Sequence, residues 1–403
     1  MKQLITTEEQ FNEHFSEQIQ HVPKSFLREI LKFTSQPGII SFAGGLPNPD
    51  YFPTEFMQHA AHKILKEDGV STLQYSTTEG FLPLREWICN YYYNEYHLSF
   101  SPDQILITNG SQQGLDLLGK VLINPQEKVL IEEPSYLGAI QAFSLYQPQF
   151  LSLALQDDGP DLEQFKKIIT YNKIKLMYAV CDFQNPTGTE WSEEKREIIG
   201  KWLKSHSILS IEDNPYGEIN FTNKKIPPLK TYSSETGILL GSFSKIISPG
   251  LRTGWIVASK PIIEKLIIAK QASDLHSGLL YQKMIYSFVT SELYPIHLGN
   301  LRMTYKDQKD CMINAMNNYF PREVKFNDPN GGMFVWVSLP EYIDTYMLFQ
   351  ESIQNKIAFV PGQTFYQGNK GKNTMRLNFS NSTREEIQKG IQILGKLIES
   401  KIK

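Results

Sequence analysis

From about residue 100 onward, short apolar runs alternate with amphipathic segments, and this rhythm constrains the fold more than any other feature of the chain. Ile105–Thr108, Lys128–Glu132, Lys175–Val180, Ile208–Glu212, Ile238–Ser242 and Gly254–Ala258 read as strands. They are apolar almost throughout rather than at every second position, the pattern of strands buried on both faces. The segment Gln112–Leu122, with Leu115, Leu118 and Leu122 along one side, predicts a helix between two of them. Strand, helix, strand in this order predicts an α/β fold with a mostly parallel central sheet covered by helices. After about residue 300 the rhythm changes. A charged helical stretch, Arg302–Asn318, precedes a strand-like run, Gly331–Ser338. The end reads as a helix with Ile387, Ile391, Leu394 and Ile398 in one stripe, and Thr383 and Glu386 have the spacing of a capping box. We therefore expect a smaller α+β domain there: an N-terminal arm over 1–45, a large domain over 46–300 and a small one over 301–403.

Composition narrows the function classes. With 403 residues the chain has room for two or three domains and a large core. Its 40 basic against 43 acidic side chains argue against a protein built to hold nucleic acid or anionic lipid. Aromatic residues make up 12%, which excludes a disordered chain. No apolar run approaches the ~18 residues of a membrane span. The opening MKQLITTEEQ lacks the apolar stretch of a signal peptide, so a cytoplasmic location is expected. Cys89, Cys181 and Cys311 have no metal-ligand spacing, and His59 and His62 have no third ligand suggested near them, so no metal is expected. Asn378 and Asn381 begin glycosylation sequons in form only.

Several segments carry candidate chemistry. Gly241–Arg252 follows a predicted strand, in the zone where open α/β sheets place ligands, and gathers Ser242, Ser244, Lys245 and Arg252. Asn109–Gly114 joins a strand to a helix whose N-terminus presents unpaired N–H groups to an anion. It lacks the spaced glycines of a dinucleotide fingerprint and the Gly-Lys-Ser/Thr of a Walker loop. Ile211–Tyr216 puts Asp213 and Tyr216 after another strand. Glu133–Tyr136, Phe183–Gly188, Met375–Phe379, Ala43–Pro47, Leu73–Ser76 and Ser25–Leu31 complete the set.

Taken together and in this order, these segments resemble the fold-type I aminotransferases that depend on pyridoxal 5'-phosphate. They are most similar to the branch of 2-aminoadipate and kynurenine aminotransferases. The resemblance runs from about residue 25 to the C-terminus. It implies that Lys245 carries the cofactor covalently and shuttles a proton, since a lysine amine can add to an aldehyde and then act as a base. It implies that Arg252 clamps the phosphate with its planar fork, helped by Ser111, Gln112, Ser242 and Ser244. Asp213 would pair with the pyridine nitrogen, Tyr216 and Asn185 would share the ring's phenolic oxygen, and Tyr136 would stack on the ring. In the small domain Arg376 would take the substrate α-carboxylate, with Gly45 lying against the substrate where a side chain would crowd it. Tyr75 would reach the neighbouring subunit's site, which implies a homodimer with shared active sites. Ser25 and Arg28 match a serine and an arginine that can meet the substrate side chain, Arg28 as the partner of a distal carboxylate. At Leu280–Gln282 the family commonly has asparagine before the glutamine, where this chain has Tyr281.

The activity so implied is transamination between an L-amino acid (2-aminoadipate, glutamate, aromatic or branched-chain) and a 2-oxo acid, 2-oxoglutarate by expectation. The same body also serves β-elimination or decarboxylation, and occurs in MocR-type regulators behind a DNA-binding module. Only about 40 residues, not basic, precede the Ala-Gly-Gly segment here, so a regulator is the weaker alternative.

Overall fold

The computed structural model describes residues 14–20, 22, 30, 38–222 and 224–402. An eight-stranded sheet organises the larger part. With strands numbered along the chain, β1 is Ile40–Ser41 and the sheet comprises β2 (Ile105–Thr108), β3 (Lys128–Glu133), β4 (Gln149–Gln156), β5 (Gly159–Pro160), β6 (Ile174–Ala179), β7 (Leu209–Asn214), β8 (Gly237–Ser242) and β9 (Gly254–Val257). Their order is β2-β9-β8-β7-β6-β3-β4-β5. The run from β8 through β7, β6 and β3 to β4 is parallel, whereas β9 lies antiparallel between β2 and β8. All six predicted strands are present within one residue or two of the expected ends.

Both faces of the sheet are covered, as apolar strands require. Along β3, Val129 and Ile131 enter one apolar cluster while Leu130 enters the other. Leu115 and Leu118 of the helix Ser111–Leu122 pack on the first side with Leu117, and Leu122 is half-buried. Phe165, Ile199 and Leu203 from the helices Leu162–Tyr171 and Glu193–Ser205 pack on the second.

A second sheet, order β10-β11-β14-β13, is antiparallel and holds Lys325–Phe326, Phe334–Ser338, Thr374–Asn378 and Val360–Pro361 respectively. β1 pairs in parallel with β12 (Ile357–Ala358), which ties the segment before the site to this layer. The last helix, Arg384–Glu399, buries Ile387, Ile391, Leu394 and Ile398, and both capping-box bonds at Thr383 and Glu386 form. The helical stretch expected from Arg302 begins earlier: one 27-residue helix spans Leu293–Tyr319, so residue 300 falls inside an element rather than between two. Pro295 stands in its first turn, where the missing N–H costs no bond. Tyr294, Leu298, Leu301 and Tyr305 then keep a buried stripe continuous through it.

Candidate active site

The parallel strands all end at one edge of the large sheet, and the turns leaving that edge supply most of the site. Ser111 follows β2, Tyr136 follows β3, Asn185 follows β6 and Tyr216 follows β7, whose own penultimate residue is Asp213. Ser242 closes β8, with Ser244 and Lys245 just beyond. Arg252 reaches the same edge because β9 runs the opposite way: Gly254 at its start lies opposite both Ser242 and Thr108. With Gln112, with Gly45 and with Arg376 of β14, these side chains line one cavity of about 230 Å³. Twelve of the residues named from the sequence are thus brought together. Tyr75 is outside the cavity, 78% exposed, with its ring edge against His276. Ser25 and Arg28 lie outside the described residues.

Close backbone approach shapes the anion end. Gly110, at φ 80°, begins the helix Ser111–Leu122, and a Cβ there would come within 2.6 Å of an Arg252 guanidinium nitrogen. Arg252 itself holds a left-handed backbone at φ 47° and donates to the carbonyls of Pro249 (3.3 Å) and Asn109 (3.2 Å). The Ser242 hydroxyl oxygen accepts the Ser244 N–H at 3.2 Å. Gln112 Nε2 donates to the Gly138 carbonyl at 2.9 Å, and the Tyr136 hydroxyl lies 3.4 Å from Gln112 Oε1. A helix N-terminus, two serines and an arginine make this end a receptor for a phosphate-sized anion.

At the centre, Lys245 Nζ donates to the Gly45 carbonyl at 2.7 Å. Burial, reinforced by the positive charges of Arg376 and Arg252, pulls its pKa down to about 8. Asp213, 2% exposed, is pushed up to about 7 by burial, partly offset by the bond from the Tyr178 hydroxyl to Oδ2 at 3.1 Å. Its other oxygen, Oδ1, is buried without a hydrogen-bond partner among the described residues. A buried carboxylate oxygen left bare is costly, and a protonated ring nitrogen is the kind of donor that would satisfy it. Asn185 Nδ2 lies 3.4 Å from the Tyr216 hydroxyl, and burial raises the Tyr216 pKa so that it stays a neutral donor.

Arg376 is 2% exposed and donates to Asn185 Oδ1 at 2.7 Å and to the Ala43 carbonyl at 2.6 Å. Phe334 and Phe365 flank its guanidinium at 4.2 and 5.1 Å. Burial lowers its pKa to about 10, so it is still a cation at neutral pH, and its Nε has no partner among the described residues. A desolvated fork with spare donors is suited to a carboxylate. Gly45 lines the cavity, and a Cβ there would meet the Phe334 ring at 3.0 Å, so its small size also keeps clear a ring that flanks Arg376. Sequence reasoning did not find Tyr178, Phe334, Phe365 or the Ala43 carbonyl. Tyr178 and Phe334 sit in runs whose apolar character marked them only as core, and the pairing of β11 with β14 decides which face meets Arg376. Donors for a phosphate, a bare carboxylate oxygen, a depressed lysine and a desolvated arginine together fit pyridoxal 5'-phosphate and an amino acid.

Comparison with known proteins agrees. The family model described as aminotransferase class I and II matches residues 47–394. The chain is 37% identical to aromatic-amino-acid aminotransferase 1 of Thermococcus litoralis, over 98% of its own length and 96% of the relative's. It is 38% identical to 2-aminoadipate transaminase of Thermus thermophilus, over 96% of its length and 97% of the relative's. The crystal structure of alpha-aminoadipate aminotransferase from Thermus thermophilus, complexed with N-(5'-phosphopyridoxyl)-L-leucine, superposes with a TM-score of 0.91 at 37% identity. That superposition covers 97% of this chain and 98% of the other.

Proposed function

This chain belongs to the class I and II aminotransferases and uses pyridoxal 5'-phosphate, and on that premise we propose that it moves an amino group from a 2-aminoadipate-like or aromatic L-amino acid to 2-oxoglutarate. The observation that carries the site assignment is the bare, buried Oδ1 of Asp213 in the same cavity as Lys245, Arg252 and Arg376. Bound there, the cofactor supplies an electron sink for the bonding electrons of the substrate Cα.

The residues divide the work. Arg252, Ser111, Gln112, Ser242 and Ser244 hold the phosphate, and Tyr136 packs on the ring. Asp213 holds the ring nitrogen protonated, while Tyr216 and Asn185 donate to the phenolic oxygen. Lys245 would hold the cofactor covalently through its amine and, when that amine is free, would take up the proton of the substrate Cα. In the cofactor-free protein burial and the charges of Arg376 and Arg252 hold the Lys245 pKa at about 8, so it gives up its proton more readily than an ordinary lysine. Arg376 binds the α-carboxylate and so sets the direction of the Cα–H bond. Tyr75 belongs to the site of a second subunit, and Arg28 with Ser25 is assigned to the substrate side chain. The two relatives act, by name, on aromatic amino acids and on 2-aminoadipate, which supports a pocket that admits both an apolar and an acidic side chain.

Borohydride reduction of the cofactor-loaded protein, followed by peptide mass spectrometry, should place the label on Lys245. Lys245→Ala should lose turnover by more than ~10²-fold. A donor panel of 2-aminoadipate, leucine, kynurenine, tyrosine and phenylalanine against 2-oxoglutarate then ranks substrates. Label on another lysine overturns the site assignment, and silence across the panel overturns the substrate assignment alone.

A further inference from the structure

We propose that Asp274 and Lys270 are positioning residues for the turn that receives the cofactor phosphate, an inference that rests on the role of Ser111 and Gln112 given above. Lys270 lies in the last turn of the helix Lys260–Gln271, its side chain fully buried, and Asp274 follows four residues later. One carboxylate gathers four contacts. Asp274 Oδ2 accepts from Asn109 Nδ2 and Gln113 Nε2, each at 2.6 Å, and from Lys270 Nζ at 2.9 Å. Oδ1 accepts from Lys270 Nζ again at 2.8 Å. Lys270 Nζ also donates to Gln113 Oε1 at 3.0 Å, the same oxygen that accepts the Asn109 backbone N–H at 2.8 Å.

Asn109 is therefore held at its side chain and its N–H by this cluster, and at its carbonyl by Arg252. The residues that follow it directly are Gly110, Ser111 and Gln112. An i,i+4 ion pair needs no such arrangement to close a helix, and burying a lysine costs free energy unless it is fully paired. Here the pair's remaining bonding capacity goes to a turn some 160 residues earlier in the chain. Phosphate is held at a helix N-terminus by N–H groups whose directions depend on the preceding turn, so fixing Asn109 fixes the aim of the donors after it. Neither Asp274 nor Lys270 lines the cavity, and they act through Asn109 and Gln113.

The test compares two aldehydes that differ only in the phosphate. Cofactor-free wild-type, Asp274→Asn and Lys270→Gln proteins are titrated by absorbance with pyridoxal 5'-phosphate and with pyridoxal, with thermal unfolding of each protein as the control for folding. Removing groups that orient ligands from behind typically costs ~10–100-fold in affinity, so Asp274→Asn should weaken pyridoxal 5'-phosphate binding by about that much. Pyridoxal binding should change by less than ~2-fold, because the lysine and ring contacts are untouched. Lys270→Gln, which keeps a hydrogen-bonding end, should give a smaller loss of the same selectivity and provides the result if Asp274→Asn does not fold. Equal loss for both aldehydes, or no loss for either, overturns the proposal. A wild-type protein that captures neither aldehyde instead overturns the assignment of the site, and the proposal with it.

Discussion

Asp213 is a carboxyl group in an environment that disfavours its charge. Burial raises its pKa from the ordinary 3.8 to about 7, and one of its oxygens has no donor among the described residues. Between those two values the folded protein binds more protons than the unfolded one, so the cofactor-free protein loses stability as pH rises through that window. The shift corresponds to about 4 kcal/mol once pH exceeds 7, at 1.36 kcal/mol per unit. Asp213→Asn should therefore make the cofactor-free protein more stable at pH 8 by up to that amount, and the advantage should vanish near pH 4. Urea unfolding at both pH values measures it. The same variant should lose catalysis by ~10²–10³-fold, since a neutral amide cannot hold the ring nitrogen protonated. A variant that is no more stable at pH 8 than at pH 4, relative to the parent, would sink the idea that this carboxylate awaits a cation. At this scale Lys245, Asp213 and Arg252 were legible because their segments carry a recognisable order of residues. Tyr178 and Phe334 were not, because a tyrosine or phenylalanine inside an apolar strand looks the same whether it supports a site or only fills a core.

Among the elements, the turns at the carboxyl edge are held in place by a buried charge cluster that no motif announced. Arg196, on the helix Glu193–Ser205, is fully buried and pairs with Asp182 at 2.5 Å and with Glu212 at 3.8 Å. It also donates to the carbonyls of Cys181 and Trp191. The second oxygen of Asp182 accepts from Asn214 Nδ2 at 2.7 Å, and Asn214 Oδ1 accepts the Gly217 N–H at 2.8 Å. One arginine thus joins the end of β6 to the end of β7 and to the turn that carries Tyr216. Removing a partner from a buried pair leaves an uncompensated charge, so Arg196→Met should lower unfolding free energy by about 3–5 kcal/mol. Denaturant unfolding gives the number, and a loss under about 1 kcal/mol would show that the cluster is dispensable. Strands and helices were legible because hydrophobic periodicity reports burial directly. The start of the helix Leu293–Tyr319 was not, because Tyr294, Leu298 and Leu301 lie ahead of the charged run at Arg302 and are buried only by tertiary packing.

On the scale of the whole molecule, Tyr75 is a large aromatic left 78% exposed and away from its own chain's cavity. In the proposed homodimer each site combines Lys245 of one chain with Tyr75 of the other. Lys245→Ala and Tyr75→Ala would then each be impaired as pure proteins. In a mixed dimer both lesions fall in one site and the second site is intact. Co-refolding the two variants should restore activity to a clear fraction of wild type, and sedimentation should give twice the chain mass. Mixtures no more active than the sum of their parts would mean that Tyr75 serves its own subunit or none.

The sequence by itself determined the sheet, the helices on its faces and the order of the chemical segments along it, because burial periodicity and short motifs are properties of neighbouring residues. The tertiary structure alone decided the rest. An antiparallel β9 returns Arg252 to the edge that the parallel strands share, and the pairing of β11 with β14 sets Phe334 beside Arg376. A turn at Asn109 is braced by Asp274 from some 160 residues away. These are contacts between distant segments, and their energies depend on register, burial and charge that no local run of residues specifies.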